Sequence, residues 1–163
     1  MAAGNTYTPI ATTNGTGASS ITFSSISSSY TDLVLVIGGA VSSGVSCAIY
    51  VNGDTASNYG YTYMQGYVGS SASGRGTGTT EIYYGPMHAN GNIITANFQS
   101  YANTSYYKSI LIRQNSNWPT GTLSATAATW RSTSAITSIT VKTGGVQTFP
   151  TTTVFTLYGI AAA

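Results

Sequence analysis

The sequence predicts an all-β fold, an antiparallel β-sandwich of about eight to ten strands with jelly-roll connectivity. Three observations point to it. Short runs rich in Val, Ile, Thr and Tyr recur roughly every ten residues, separated by clusters of Gly, Ser, Asn and Pro. No stretch of ten or more residues places apolar side chains at helical spacing among helix formers. The chain has 163 residues and a single cysteine, Cys47, which suits one core that buries roughly 70% of the unfolded surface without cross-links. An open Greek-key sandwich and a barrel are the less favoured alternatives.

The first 20 residues read as an extended N-terminal segment, with an extended piece near Tyr7–Ala11. Strands are expected near Ile21–Phe23, Asp32–Ile37, Val45–Val51, Gly60–Val68 and Thr79–Tyr84. Five more follow near Ile93–Tyr101, Tyr106–Gln114, Thr122–Trp130, Ser138–Lys142 and Val154–Ile160. Leu33-Val34-Leu35-Val36-Ile37 is apolar on both parities, as a central strand covered on both faces would be. Val45, Cys47, Ile49 and Val51 alternate with Ser46, Ala48 and Tyr50, the pattern of a half-buried strand. Asn52-Gly53-Asp54 follows, and Asn-Gly supplies the positive φ angles of a tight hairpin turn. Ile136 falls on the opposite parity from Ile139 and Val141, which implies a bulge or a strand that starts later. Gly69–Thr80 (GSSASGRGTGTT) is the one low-complexity stretch and reads as a flexible Gly/Ser loop. Residues 1–163 carry no linker or repeat and are read as a single domain.

Charge is scarce. Five Lys and Arg and three Asp and Glu make up 5% of the chain, against about 25% in an ordinary soluble domain. Thirteen Tyr, four Phe and two Trp argue against disorder, which is poor in aromatics. A surface without charges gives up mutual repulsion, and sheet edges without Lys or Glu guards associate. A protein docked in an assembly is therefore expected ahead of the alternative, a very stable and inert β-domain. Arg75, Lys108, Arg113, Arg131 and Lys142 are scattered, so the clustered cations of nucleic-acid binding are missing. The amino terminus shows no signal-peptide pattern, and Leu33–Val41 is too short to cross a membrane. A soluble protein made in a cytoplasm is expected, with no nucleic-acid or membrane partner.

The residues that carry chemistry are few. Asp32 opens the most apolar strand, where bonding to backbone amides is its expected role. Asp54 belongs to a turn that favours Asp, and Glu81 stands alone. A carboxylate pair for glycoside hydrolysis would have to come from these. His88, the only histidine, lies in a turn-like segment with no G-x-S-x-G elbow in the chain. Cys47 falls on a core face, where a thiol behaves as a small hydrophobe. No Cys, His and acid cluster has metal spacing. Gly74-Arg75-Gly76-Thr77-Gly78 lacks the Lys-Ser/Thr pair of a phosphate loop. No enzyme activity, cofactor or metal is expected.

Tyrosine is the concentrated resource. Tyr59, Tyr61 and Tyr63 share one strand face by period two, with Tyr67, Tyr83 and Tyr84 on or near flanking strands. A ring with a polar tip suits interfaces and sugar-binding faces, and equally suits the rim of a core. These six are the candidate partner contacts.

Trp130-Arg131-Ser132-Thr133-Ser134-Ala135-Ile136-Thr137-Ser138-Ile139-Thr140-Val141, followed by Phe155-Thr156-Leu157-Tyr158-Gly159-Ile160, resembles the closing segment of β-sandwich domains in tailed-bacteriophage virion proteins. Ile21-Thr22-Phe23, Tyr30-Thr31-Asp32-Leu33 and Asn52-Gly53-Asp54 with Asn58-Tyr59 are similar to their opening. The Tyr-rich middle, Gly60–Tyr84, has no counterpart in that resemblance. What it implies is a virion structural protein without catalytic residues, of the capsid cement (decoration) type. Such a protein binds the major capsid protein and stabilises the shell as a homotrimer. The alternative is a receptor- or glycan-binding module of a phage tail fibre or spike, contacting a host surface glycan.

Overall fold

A computed structural model describes residues 6–117 and 121–161. Twelve strands form: β1 (Tyr7–Asn14), β2 (Ser20–Phe23), β3 (Asp32–Gly39), β4 (Val45–Val51), β5 (Tyr59–Tyr67), β6 (Ser70–Thr79), β7 (Ile82–Met87), β8 (Asn92–Gln99), β9 (Lys108–Ser116), β10 (Thr122–Trp130), β11 (Ile139–Thr143) and β12 (Val154–Ile160). Every pairing between them is antiparallel. An eight-stranded sheet runs β1-β12-β3-β8-β9-β10-β5-β6, and a four-stranded sheet runs β2-β11-β4-β7. The chain is all-β, as expected, with more strands than expected.

Strict alternation builds the sandwich. In β9 and β10 every second residue is buried and every other one exposed. Ile110, Ile112, Ala128 and Trp130 thus join Leu33, Leu35, Ile37, Ile94, Phe98, Phe155 and Leu157 on the inner face of the large sheet. Phe23, Ile49, Val51, Ile82, Met87, Ile139 and Val141 face them from the small sheet, and all belong to one buried core. Fully burying side chains of this size is worth about 1.5–3 kcal/mol each. β3 lies between β12 and β8, central as expected, but only one of its faces meets the core: Leu33, Leu35 and Ile37 point inward, while Val34 lines a groove on the outer face.

The chain changes sheet between β1 and β2, β2 and β3, β3 and β4, β4 and β5, β6 and β7, β7 and β8, β10 and β11, and β11 and β12. Such repeated crossing is consistent with a jelly roll that has one widened sheet. The sheets are unequal, however, rather than two matched sets of four.

Several local expectations change. The segment Gly69–Thr80 is not a flexible loop, because Ser70–Thr79 is β6, paired with β5 from Tyr67↔Ser70 to Tyr59↔Thr79. Its glycines have a packing reason. A Cβ on Gly74 would lie 2.7 Å from ring atoms of Tyr63, and one on Gly76 would lie 2.6 Å from ring atoms of Tyr61. Each glycine leaves space for a ring from the neighbouring strand, so alternating small residues that look like low complexity make a strand. The extended piece near Tyr7 is a full strand to Asn14 that caps the other edge, while residues 1–5 lie outside the described residues. The parity conflict at Ile136 resolves as a later start. Ile139 opens β11, and Ile136 is buried ahead of it with its amide donating to the Tyr101 carbonyl at 2.9 Å.

Candidate functional site

Asn52 and Gly53 have φ of +53° and +64°, and the Asp54 amide donates to the Val51 carbonyl at 2.9 Å. This is the tight turn the sequence announces, but it lifts the chain from the small sheet to the large one instead of closing a hairpin. The Asp54 carboxylate then accepts from Trp130 Nε1 at 2.7 Å, Asn58 Nδ2 at 2.9 Å and the Ala56 amide at 2.9 Å. Partial burial alone would raise its pKa; the hydrogen bonds from Trp130, Asn58 and Ala56 prevail and hold it below the ordinary carboxylate range. The Asp54 carboxylate thereby joins β10 to the turn.

The six tyrosines divide. Tyr59 is fully buried, and its hydroxyl donates to the Asp54 carbonyl at 2.9 Å and accepts from the Val51 amide at 3.1 Å. Tyr84 is also buried, against Met87 Sδ at 3.4 Å. Neither can touch a partner, which corrects two of the expected contacts. Burial pushes the Tyr59 hydroxyl up to about 12 and the Cys47 thiol, beside Tyr84, up to about 11, so Cys47 is a protonated core residue.

Tyr61, Tyr63 and Tyr83 form one half-buried cluster. The Tyr63 and Tyr83 rings meet edge-on at 5.3 Å, and Tyr61 lies 6.3 Å from Tyr83. Burial raises the pKa of both Tyr61 and Tyr83. Their rings are occupied by each other and by the β6 glycines. Tyr67, 37% exposed at the end of β5, is the one member of the six that stands in solvent.

The exposed apolar surface lies elsewhere, on the outer face of the eight-stranded sheet. Met64 on β5, Leu111 on β9, Leu123 on β10 and Ile93 on β8 are 68%, 42%, 66% and 63% exposed. Register sets them in rows. Ala125 sits between Arg113 and Met64, and Ala127 between Leu111 and Thr62. Asn97 sits between Leu111 and Val34. The two alanines leave a groove bordered by Leu111, Leu123 and Met64. A second groove adjoins it, lined by Tyr7, Asp32, Val34, Leu111 and Arg113.

This face was missed because Ile110, Leu111 and Ile112 are consecutive, so a period-two reading cannot assign Leu111 to a side. What the sequence does signal is the poverty of charge, and the structure locates it. Lys108 is buried, its Nζ donating to the carbonyls of Tyr106 at 3.0 Å and Thr133 at 3.2 Å. Lys142 pairs with Glu81 at 2.6 Å, the single ion pair among the described residues. Arg131 donates to the Ser57 carbonyl at 2.7 Å. Asp32 accepts from the Ser100 amide at 2.6 Å, the backbone role expected of it. Asp32, Arg75 and Arg113 are the charged residues left on the outer face. His88 is half-buried in a groove with Ser42, Ser43, Ser46 and Asn90, and burial lowers its pKa.

No protein-family model matches the chain, and no curated protein matches it.

Proposed function

We propose that the protein is a non-enzymatic structural component of a phage virion, a capsid cement protein that binds and reinforces the shell as a homo-oligomer. The observation that carries the self-association half of this reading is the outer face of the large sheet. Large apolar side chains stand there in solvent, with Asp32, Arg75 and Arg113 the charged residues beside them. Contiguous exposed apolar side chains of this kind mark interaction surfaces. Contacts of apolar and neutral polar groups also tolerate changing ionic strength, because there is little for salt to screen.

The virion setting comes from the resemblance of the opening and closing segments, which by itself implies three copies per unit. Each copy adds modest interface, and many copies together hold a shell against internal pressure. The acids have structural partners: Asp32 holds the Ser100 amide, Asp54 ties Trp130, and Glu81 pairs with Lys142. The glycan-binding alternative relied on a tyrosine surface of which only Tyr67 is openly exposed.

Quantitative mass spectrometry of purified virions tests the reading. A copy number comparable to that of the major shell protein supports it, together with co-sedimentation of the isolated protein with empty capsids. A handful of copies per particle moves the protein to the tail, and absence from the particle overturns the reading.

A further inference from the structure

The charges on the outer face have an arrangement that the shortage of charge makes conspicuous. Asp32 on β3 and Arg113 on β9 line the same groove, with Leu111 and Val34 between them. They are two strands apart and offset along them, so their Cα atoms are roughly 16 Å apart by strand spacing and rise. Among the described residues Arg113 has neither an ion pair nor a hydrogen bond. Asp32 accepts from the Ser100 amide through Oδ1, and among the described residues it has no ion pair.

We propose that this face packs against the same face of a second copy, with Arg113 of each copy meeting Asp32 of the other. A two-fold axis lying between two apposed faces exchanges any two points placed symmetrically about it, so one cation and one anion on one face form two reciprocal pairs. Two charges of one sign would instead repel across such an axis. The axis passes near Asn97, where Leu111 and Val34 flank it in register. Eight strands at about 4.8 Å and seven residues at about 3.3 Å give the face roughly 900 Å². A standard-size interface needs about 800 Å² per partner. Leu111, 42% exposed, then supplies the apolar centre, and the two charge pairs fix the orientation. The inference rests on the self-association in the proposed function and is independent of the virion setting. It makes the unit two copies, not three.

Sedimentation equilibrium of the purified chain tests it. The wild-type protein is a dimer. Arg113→Glu sets two carboxylates against each other and raises the dissociation constant by about tenfold or more. Asp32→Asn keeps the acceptor for the Ser100 amide while removing the charge, and weakens the dimer by a smaller factor. Arg113→Glu combined with Asp32→Arg restores the pairing in reversed sense, with circular dichroism confirming the fold of each variant. A monomer at every concentration, a trimer, or a dimer indifferent to Arg113→Glu overturns the inference. An intact, charge-dependent dimer that fails to bind capsids counts against the virion reading alone.

Discussion

The ring of Tyr63 on β5 lies across Gly74 on β6, so close that a methyl group there would stand 2.7 Å from the ring atoms. On its other side the same ring meets Tyr83 of the small sheet at 5.3 Å. The contact thus links three strands, β6, β5 and β7, at the edge where the large sheet extends past the small one. Glycine in a strand weakens it by leaving nothing to pack, and a cross-strand aromatic ring restores the lost contact.

Gly74→Ala therefore destabilises the protein by about 1–2 kcal/mol, because the ring it displaces is held by Tyr83 and cannot swing clear. Urea denaturation of Gly74→Ala, Tyr63→Ala and the double variant measures the coupling. A double variant less costly than the sum of the singles is the expected result, since removing the ring removes the clash.

The turn after β4 gives a pH signature at each end of the scale. Asp54→Ala strands the Trp130 and Asn58 donors and costs about 2–3 kcal/mol. The folded carboxyl sits below its ordinary 3.8, so its stabilisation is complete above pH 3.8 and is lost as pH falls through the folded value. The variant should show a flatter acid limb in thermal melts between pH 5 and about pH 2.

At the alkaline end, Tyr59 moves from 10 to about 12 through burial. Its contribution is complete below pH 10 and is lost as pH rises from 10 through 12. Tyr59→Phe leaves the buried Val51 amide without its acceptor and costs about 1–2 kcal/mol at neutral pH. It also removes that part of the alkaline decline.

The class of fold was legible because alternation is the physics of a half-buried strand, and β4, β9 and β10 alternate cleanly. The turn at Asn52-Gly53 was legible because few residues other than these adopt positive φ cheaply. β6 was not, since the partner that makes Gly74 and Gly76 strand residues is the pair of rings on β5. Composition alone cannot show that pairing. The tyrosines misled for a related reason. Period two correctly gave Tyr59, Tyr61 and Tyr63 one face, but it does not say whether that face meets the core or solvent. The outer face was hidden by apolar residues of both parities in β9. Only burial distinguishes Ile110 and Ile112, which are inside, from Leu111, which is not.

Substitutions on the outer face separate docking from folding. Ala127→Glu and Leu123→Glu change exposed positions of β10 that make no core contact, so each should alter stability by no more than about 0.5 kcal/mol. Both place a charge on the apolar groove and should abolish self-association, read by light scattering beside a thermal melt. Loss of fold in either variant would mean that this face is part of the core.

The central claim is that the molecule holds its partners by apolar and uncharged surface, with few ionic contacts. Burial at about 25 cal/mol per Å² supplies most of the attraction, whereas screening an exposed ion pair removes only about 0–1 kcal/mol. Light scattering of the isolated protein across a sodium chloride titration measures this directly. The account predicts an oligomer whose mass is unchanged from dilute buffer to about 1 M salt, where the Debye length is only about 3 Å. An oligomer that dissociates to monomers over that range would contradict it.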